Sequence, residues 1–307
     1  MFEVIGLGAC ASDFLGVVPH YPSVDERVRM LELHRQGGGE VATALVTLSR
    51  LGVRTSFVGK IGDDETGKFI VKEFEKENVD TSHIVIEKGG SSILAFCIVD
   101  RATGKRTILW HKGMKPLVSN ELDKGFMLSA EILHLDQHEP EAAIEAAGWF
   151  KEAGKTVVLD IDTIDSRLER LVRSVDVVIG SEVFAKNFTR NDDYFEAAEK
   201  VASMGPETVV FTLGKEGCLC KSEKSAFVQL AFEVDVVDTT GSGDVFHGAF
   251  IYGILQDWDL REIAEFSNAV AAMKCRRVGG RAGVPTRSEV DRFLKNAKLR
   301  KESSHPS

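Results

Sequence analysis

Seven consecutive residues, Asp238-Thr239-Thr240-Gly241-Ser242-Gly243-Asp244, have the types and spacing to handle an anion. Gly241 and Gly243 carry no Cβ, so their backbone N–H groups can come close to a ligand. If a helix starts here, those N–H groups also sit at its positive end, which is an anion site. Asp244 then falls in the first turn, beside the cradle. A carboxylate in that place suits a base that takes a hydroxyl proton while a phosphoryl group moves. A plainer reading uses the same residues: acidic side chains complement a helix dipole, and the glycines only make the turn tight.

The flanking sequence supplies such elements. The apolar run Phe232 to Val237 reads as a strand leading in, and Val245 to Leu255 as a helix leading out. Further β-rich runs are Val4–Leu7, Thr55–Val58, Ile132–Leu135, Thr156–Asp160, Val175–Ile179 and Thr208–Thr212. Helical spacing of apolar residues marks Val41–Leu51, Thr66–Asn78, Glu139–Ala153, Tyr194–Met204 and Leu260–Arg276. Strands alternating with helices imply an α/β chain with a parallel sheet covered on both faces. Asp13–Gln36 and Ser91–His111 break the rhythm. They alternate polar and apolar residues, with a hairpin around Arg101-Ala-Thr-Gly104, and predict a small antiparallel sheet beside the main one. The polar tail from Lys298 to Ser307 is expected to fray.

Composition narrows the function classes. The 307 residues suit one large domain with a small appendage. With 38 basic and 47 acidic side chains the net charge is −9. That argues against a nucleic-acid backbone or an anionic membrane as main partner. No 18-residue apolar run suggests a membrane span, and the N-terminus has no signal-peptide pattern. The five scattered cysteines, Cys10, Cys97, Cys218, Cys220 and Cys275, read as reduced thiols in a cytoplasmic protein.

Three motifs resemble sites without their full chemistry. Gly62-Asp-Asp-Glu-Thr-Gly67-Lys68 nearly spells a P-loop, but Phe69 stands where a hydroxyl must meet magnesium. Gly6-x-Gly8 follows the first strand as in a dinucleotide fold, yet Pro19 and Pro22 argue against a helix after it. His134, Asp136 and His138 alternate as metal ligands on one strand face could; a strand end opening onto a cleft is the favoured reading. Gly37-Gly38-Gly39, before the helix Val41–Leu51, serves either a close ligand approach or a hinge.

Together these pieces resemble the PfkB carbohydrate kinase family, also called ribokinase-like, over nearly the whole chain. The matches are Gly38-Gly39 through Ser49-Arg50-Leu51-Gly52, Gly59-Lys-Ile-Gly62-Asp63-Asp64-x-x-Gly67, Thr212-Leu-Gly214-Lys-Glu-Gly217, Asp238 to Asp244, and Asn268 to Gly280. The resemblance implies a three-layer αβα sandwich with a small β-sheet lid, from roughly 13–37 and 91–112, within a single domain. It implies Asp244 as catalytic base and the Gly241-Ser242-Gly243 amides as anion hole. Asp13, Gly38 and Gly39 match sugar-binding positions. Ser181, Thr212, Gly214 and Gly217 match the nucleotide site, with Asn268 near the adenine. Asp238 and Thr240 match ligands of a monovalent cation, with backbone from the Cys275–Gly280 loop. ATP, Mg²⁺ and K⁺ are the implied cofactors, and a homodimer through the lid the implied assembly.

Two positions depart from the family. Thr43 stands where many members hold sugar hydroxyls with Asn. Ser181-Glu182-Val183-Phe184 replaces the usual Asn-x-x-Glu, leaving Glu182 as a substitute that would act on Mg²⁺ through water. Short local likenesses point to the ketohexokinase and sulfofructose kinase branches. The reading is an ATP-dependent sugar kinase, for a hexose or ketose first. The alternatives are a nucleoside kinase, a catalytically silent sugar or nucleotide sensor, and a dinucleotide-dependent oxidoreductase. Arg27, Arg29, Arg35, Arg101, Lys105 and Arg106 on the lid segments are either solvated charges or include an anchor for an anionic substrate, with Arg27 and Arg106 the candidates.

Overall fold

The computed structural model describes residues 2–162, 168–190 and 193–300. Among them, nine strands form one sheet in the order β13 (Ala226–Gln229), β12 (Cys218–Ser222), β11 (Thr208–Thr212), β10 (Val177–Ser181), β9 (Thr156–Ile161), β8 (Ile132–Leu135), β1 (Val4–Leu7), β4 (Thr55–Gly62), β5 (Ile84–Glu87). β11 to β5 run parallel, while β12 is antiparallel to both its neighbours.

Strand residues alternate between two cores, as a period of two requires. Val4, Ile132 and Val158 join one cluster with helix α1 (Glu40–Arg50) and the helices Ser242–Leu255 and Leu260–Lys274. Ile5, Leu133 and Val157 join the other, against the helix Pro140–Glu152. That helix presents Ala142, Ala143, Ala146 and Ala147, whose small side chains let its backbone lie close to the sheet. The result is three layers with all parallel strand ends on one edge, where ligands of such sheets bind.

The second sheet has the order β3 (Glu32–Gly38), β2 (Ala11–Val18), β6 (Ser91–Asp100), β7 (Arg106–Gly113). The hairpin around Arg101–Gly104 forms, with Val99 opposite Arg106. One expectation fails: β2 and β6 pair in parallel, so the small sheet is mixed. The two hairpins come from segments far apart in sequence, and both enter from the same edge of the main sheet. Helix α2 (Glu65–Lys76) packs under it, with Phe69 beneath the Arg35 guanidinium.

Phe232–Val237 is not a strand. Phe232 makes a single bridge to Leu299, while the Val237 and Asp238 N–H groups both donate to Cys275 O. Val236 and Val237 are exposed, so their apolar run lacks the neighbour that would make it a strand. The first tail residues do not fray as expected. Glu233 N–H donates to Lys298 O and Arg300 N–H to Ala231 O. Residues 301–307 lie outside the described set. No described helix is long and apolar enough to cross a membrane.

Candidate active site

The loop from Asp238 to Asp244 meets the loop after the helix Leu260–Lys274. Asp238 Oδ1 accepts from Thr240 N–H (2.8 Å) and Thr240 Oγ1–H (2.7 Å). Its Oδ2 accepts from Gly279 N–H at 2.7 Å. These N–H and O–H bonds hold the Asp238 carboxyl below its usual range, although burial opposes them. Gly241 caps the helix Ser242–Leu255 with φ 72°, a left-handed conformation that glycine adopts without strain. Ser242 N–H turns back to Thr239 O (3.1 Å), and Val245 N–H to Gly241 O (3.0 Å). The first-turn N–H groups at Gly243 and Asp244 have no carbonyl four residues back within the helix. Asp244 lies in that turn. Burial drives its carboxyl well above the ordinary range, Glu40 and Asp162 add to this, and Arg106 opposes it.

The sugar-side residues converge on the same edge. An ideal Cβ on Gly38 would fall 2.0 Å from Asp13 Oδ2, so the Asp13 carboxylate lies directly on the glycine backbone. Burial, with Glu40, raises Asp13 to about 6, against the pull of Arg281. Gly39 starts α1 with φ 98°. Thr43 is buried and its Oγ1 accepts from Arg281 Nε at 3.3 Å, while Arg281 Nη2 donates to Gly38 O at 3.1 Å. A buried guanidinium thus braces the glycines from behind. At the end of β8, Asp136 accepts from Ala9 N–H (2.7 Å) and His138 N–H (2.9 Å). Burial depresses the His138 imidazole, but Glu40, bonded to its Nε2 at 3.0 Å, and Asp136 push it up to about 9.

The lid covers this edge. Arg106 Nη1 donates to Thr239 Oγ1 at 3.3 Å, so the lid arginine reaches the anion loop. The strand register puts Asp13, Gln36, Ala95, Cys97, Ile108 and Trp110 on the same lid face. Trp110 approaches His138 edge-on at 6.3 Å. Arg27 and Arg29 are exposed in the loop between β2 and β3, and Lys105 is exposed in the hairpin. Arg101 lies 3.6 Å from Glu32, and Arg35 Nε donates to Ser12 Oγ.

Further along the edge, Ser181 ends β10 opposite Thr212 of β11. Ser181 Oγ accepts from Phe184 N–H at 3.2 Å and so starts the helix Glu182–Thr189. Gly214 (φ 55°) and Gly217 (φ 106°) shape the turn into β12. Asn268 donates to Gln229 O (3.0 Å) and Leu230 O (3.3 Å), which pins the wall after β13. Glu182 is exposed and accepts from Tyr194 O–H at 3.1 Å.

His134 does not converge with Asp136 and His138. Its Nδ1 donates to Val158 O at 3.2 Å, and its ring lies 5.9 Å from that of His247. His134, Asp160 and His247, the last on the helix Ser242–Leu255, form a buried cluster instead. Burial lowers His134 to about 4 and His247 well below its usual value. Gly6 and Gly8 also find their use. A Cβ on Gly6 would strike Val41 and Leu45 of α1, and one on Gly8 would strike Asp136 Oδ2.

The sequence model for "pfkB family carbohydrate kinase" matches residues 1–287. The chain belongs to the pfkB family of carbohydrate kinases. It is 27% identical to the 5-dehydro-2-deoxygluconokinase of Clostridium botulinum strain Eklund 17B, covering 97% of this chain and 94% of that one. An uncharacterised sugar kinase of Archaeoglobus fulgidus is 30% identical over 78% of this chain and 98% of its own length. The crystal structure of ribokinase from Thermotoga maritima superposes with a TM-score of 0.83 at 27% identity, covering 96% of this chain and 100% of that one.

For a kinase of this family, the sequence reading missed three residues. Arg281 stands one residue beyond the last matching stretch and carries no signal of its own. Asp162 stands just beyond β9 at the ligand-binding edge, where burial and Glu40 raise its carboxyl while Ser181 opposes by hydrogen bonding. That signal, an acid at a parallel strand's C-terminal end, was present in the sequence. Glu40, the first residue of α1, was passed over beside the glycines.

Proposed function

We propose that this chain transfers the γ-phosphoryl group of ATP to a hydroxymethyl group of a hexose or ketose, with Asp244 as the base. The observation that carries the reading is the place of Asp244: the first turn of a glycine-capped helix, with a raised carboxyl pKa and a lid arginine bonded to the same loop. A raised pKa makes the carboxylate a better acceptor for the sugar hydroxyl proton. As the oxygen attacks phosphorus, that proton passes to Asp244 and ADP leaves. The Gly241 and Gly243 N–H groups and the Arg106 guanidinium face the charge that develops on the phosphoryl oxygens. Asp13, with the Gly38 and Gly39 backbone, holds sugar hydroxyls. The lid, with Trp110 and Ile108 on its inner face, excludes water from the reacting atoms.

Mg²⁺ bound with ATP supplies charge neutralisation at the β and γ phosphates. The donor set fits it: burial first, and then neighbouring carboxylates (Asp162 and Asp244 on Asp160, Glu40 on Asp162, Glu40 and Asp162 on Asp244), raise these carboxyl groups, and a divalent cation would relieve the repulsion. Asp162, Ser181 and Glu182 are the residues placed to hold it, directly or through water. The Thr212 to Gly217 turn and the wall pinned by Asn268 form the nucleotide side.

The relatives named 5-dehydro-2-deoxygluconokinase and ribokinase support a sugar acceptor, and the first of these names a sugar acid. We take Arg106 as the anchor should the substrate be anionic. Residues 1–307 act as one kinase domain, and two copies pair through the outer face of the lid. Leu33, Phe96 and Leu109 lie on that face by register and are 61%, 51% and 58% exposed, an apolar strip a soluble monomer seldom keeps. A panel of sugars and sugar acids with ATP and Mg²⁺, read by ADP release, tests the reading. Sugar-dependent ADP formation supports it, and ATP binding with no turnover of any sugar would favour the silent sensor.

A further inference from the structure

The family resemblance brings a monovalent cation to Asp238 and Thr240, and the geometry there argues against one. Three donors already occupy the Asp238 carboxylate: the Thr240 N–H and O–H and the Gly279 N–H. The Asp238 carbonyl accepts from Lys274 Nζ at 2.9 Å. Lys274 is 0% exposed, at the end of the helix Leu260–Lys274, and lysines are almost never fully buried unless paired. The next residue, Cys275, gives its carbonyl to the Val237 and Asp238 N–H groups. Both ends of this helix turn are therefore tied to the residue that opens the anion loop. The carboxylates whose fields reach the ammonium are Asp238 and Asp244, Arg106 is the basic group, and burial keeps the neighbouring Cys275 thiol protonated.

We propose that Lys274 is a tethered cation that does the work of the monovalent ion, fixing the Asp238–Gly241 turn so that the Gly241 and Gly243 N–H groups at the helix start face the transferred phosphoryl group. It is a positioning residue, touching neither sugar nor nucleotide, and it makes the enzyme independent of K⁺. The inference rests on the kinase reading above. An ammonium is a compact point charge on a flexible stem, as such a role requires. With three of the carboxylate's roughly four lone-pair sites taken by N–H and O–H donors, and the Asp238 carbonyl taken by Lys274, little is left here for a metal ion to bind.

The test compares ATP affinity by calorimetry, and sugar-dependent ADP release, in KCl, NaCl and tetramethylammonium chloride at equal ionic strength. The wild type should agree within about twofold in all three, whereas electrostatic loop-ordering of this kind is otherwise worth roughly tenfold or more. Lys274→Ala, which vacates the space, should lose about tenfold or more in kcat/KM in tetramethylammonium and recover part of it in K⁺ or NH₄⁺. Lys274→Arg should stay closer to wild type than Lys274→Met at matched melting temperature. Several-fold K⁺ activation of the wild type would overturn the proposal. So would a Lys274→Ala enzyme with wild-type kinetics in tetramethylammonium. If that variant does not fold, equal losses in the Arg and Met variants would overturn it. Calorimetry needs no sugar, so cation-indifferent ATP binding supports Lys274 even if the substrate panel fails. Absence of ATP binding in every salt would take down the kinase reading and this inference with it.

Discussion

Gly38→Ala places one methyl group against the substrate site, and its cost follows from one distance. The added Cβ would lie 2.0 Å from Asp13 Oδ2 and 2.4 Å from its Cγ. Carbon–oxygen contacts this short do not occur, so the Asp13 carboxylate must retreat by about 1 Å, a misplacement that costs on the order of 10²-fold in rate. The backbone has little room to move instead, because Arg281 Nη2 holds Gly38 O from behind. Overpacking adds about 1–3 kcal/mol of destabilisation. The assay is ADP release at varied sugar and varied ATP. Sugar kcat/KM should fall about 10²-fold while the KM for ATP changes little, because the nucleotide side is untouched. Gly148→Ala is the control. Nothing lies within 4 Å of its Cβ, and in the interior of the helix Pro140–Glu152 alanine should stabilise by about 0.5–1 kcal/mol without changing kinetics. A folded Gly38→Ala enzyme with sugar kcat/KM within threefold of wild type would refute the placement of Asp13.

Stability should fall as pH rises from about 6.5 to 9; below 6.5 the loss at Asp13 is opposed by His134 and His247, which burial keeps neutral and which therefore gain stability as pH rises. Asp13, raised from 3.8 to about 6, binds its proton more tightly when folded, so stability is lost as pH rises through about 6. His138, raised from 6.5 to about 9, contributes stability that is full below 6.5 and lost through about 9. A melting temperature that climbs steadily from pH 6.5 to 9 would contradict the His138 assignment. Arg106→Ala should lower kcat by on the order of 10²-fold through loss of a donor aimed at the anion loop. If the substrate is anionic, its KM should also rise more than that of a neutral analogue, and equal effects would confine Arg106 to the phosphoryl group. Phe96→Glu, on the outer lid face, should turn a dimer into a monomer in light scattering, and an unchanged mass would remove the lid from the interface.

The parallel sheet was legible because its strands are short apolar runs separated by periodic helices; only the short edge strand Ile84–Glu87 was missed, and Thr55–Gly62 runs four residues past the expected end at Val58. The anion loop was legible because only small residues and an acid fit a helix start that faces a ligand. What escaped depends on contacts between distant segments. Phe232–Val237 has a strand's composition, but no neighbouring strand reaches it, and the Cys275 carbonyl takes its last N–H groups. The parallel pairing of β2 with β6 is invisible locally, since alternation looks the same in either direction. Nothing in the sequence sets Arg281 or Lys274 apart from the chain's other cations. Only the fold shows them buried, 243 residues from Gly38 and 36 from Asp238 in their respective contacts. His134 shares a strand period with Asp136, yet its ring meets His247 of a helix distant in sequence, which no local pattern shows.

The central claim is that Asp244 takes the sugar hydroxyl proton. Asp244→Asn keeps the size of the side chain and removes the base. Measured on the sugar that the panel identifies, with ATP and Mg²⁺ saturating, kcat should fall by roughly 10²–10⁴ while ATP affinity by calorimetry and the melting temperature are kept. Turnover close to wild type by a folded, ATP-binding Asp244→Asn enzyme would contradict the account.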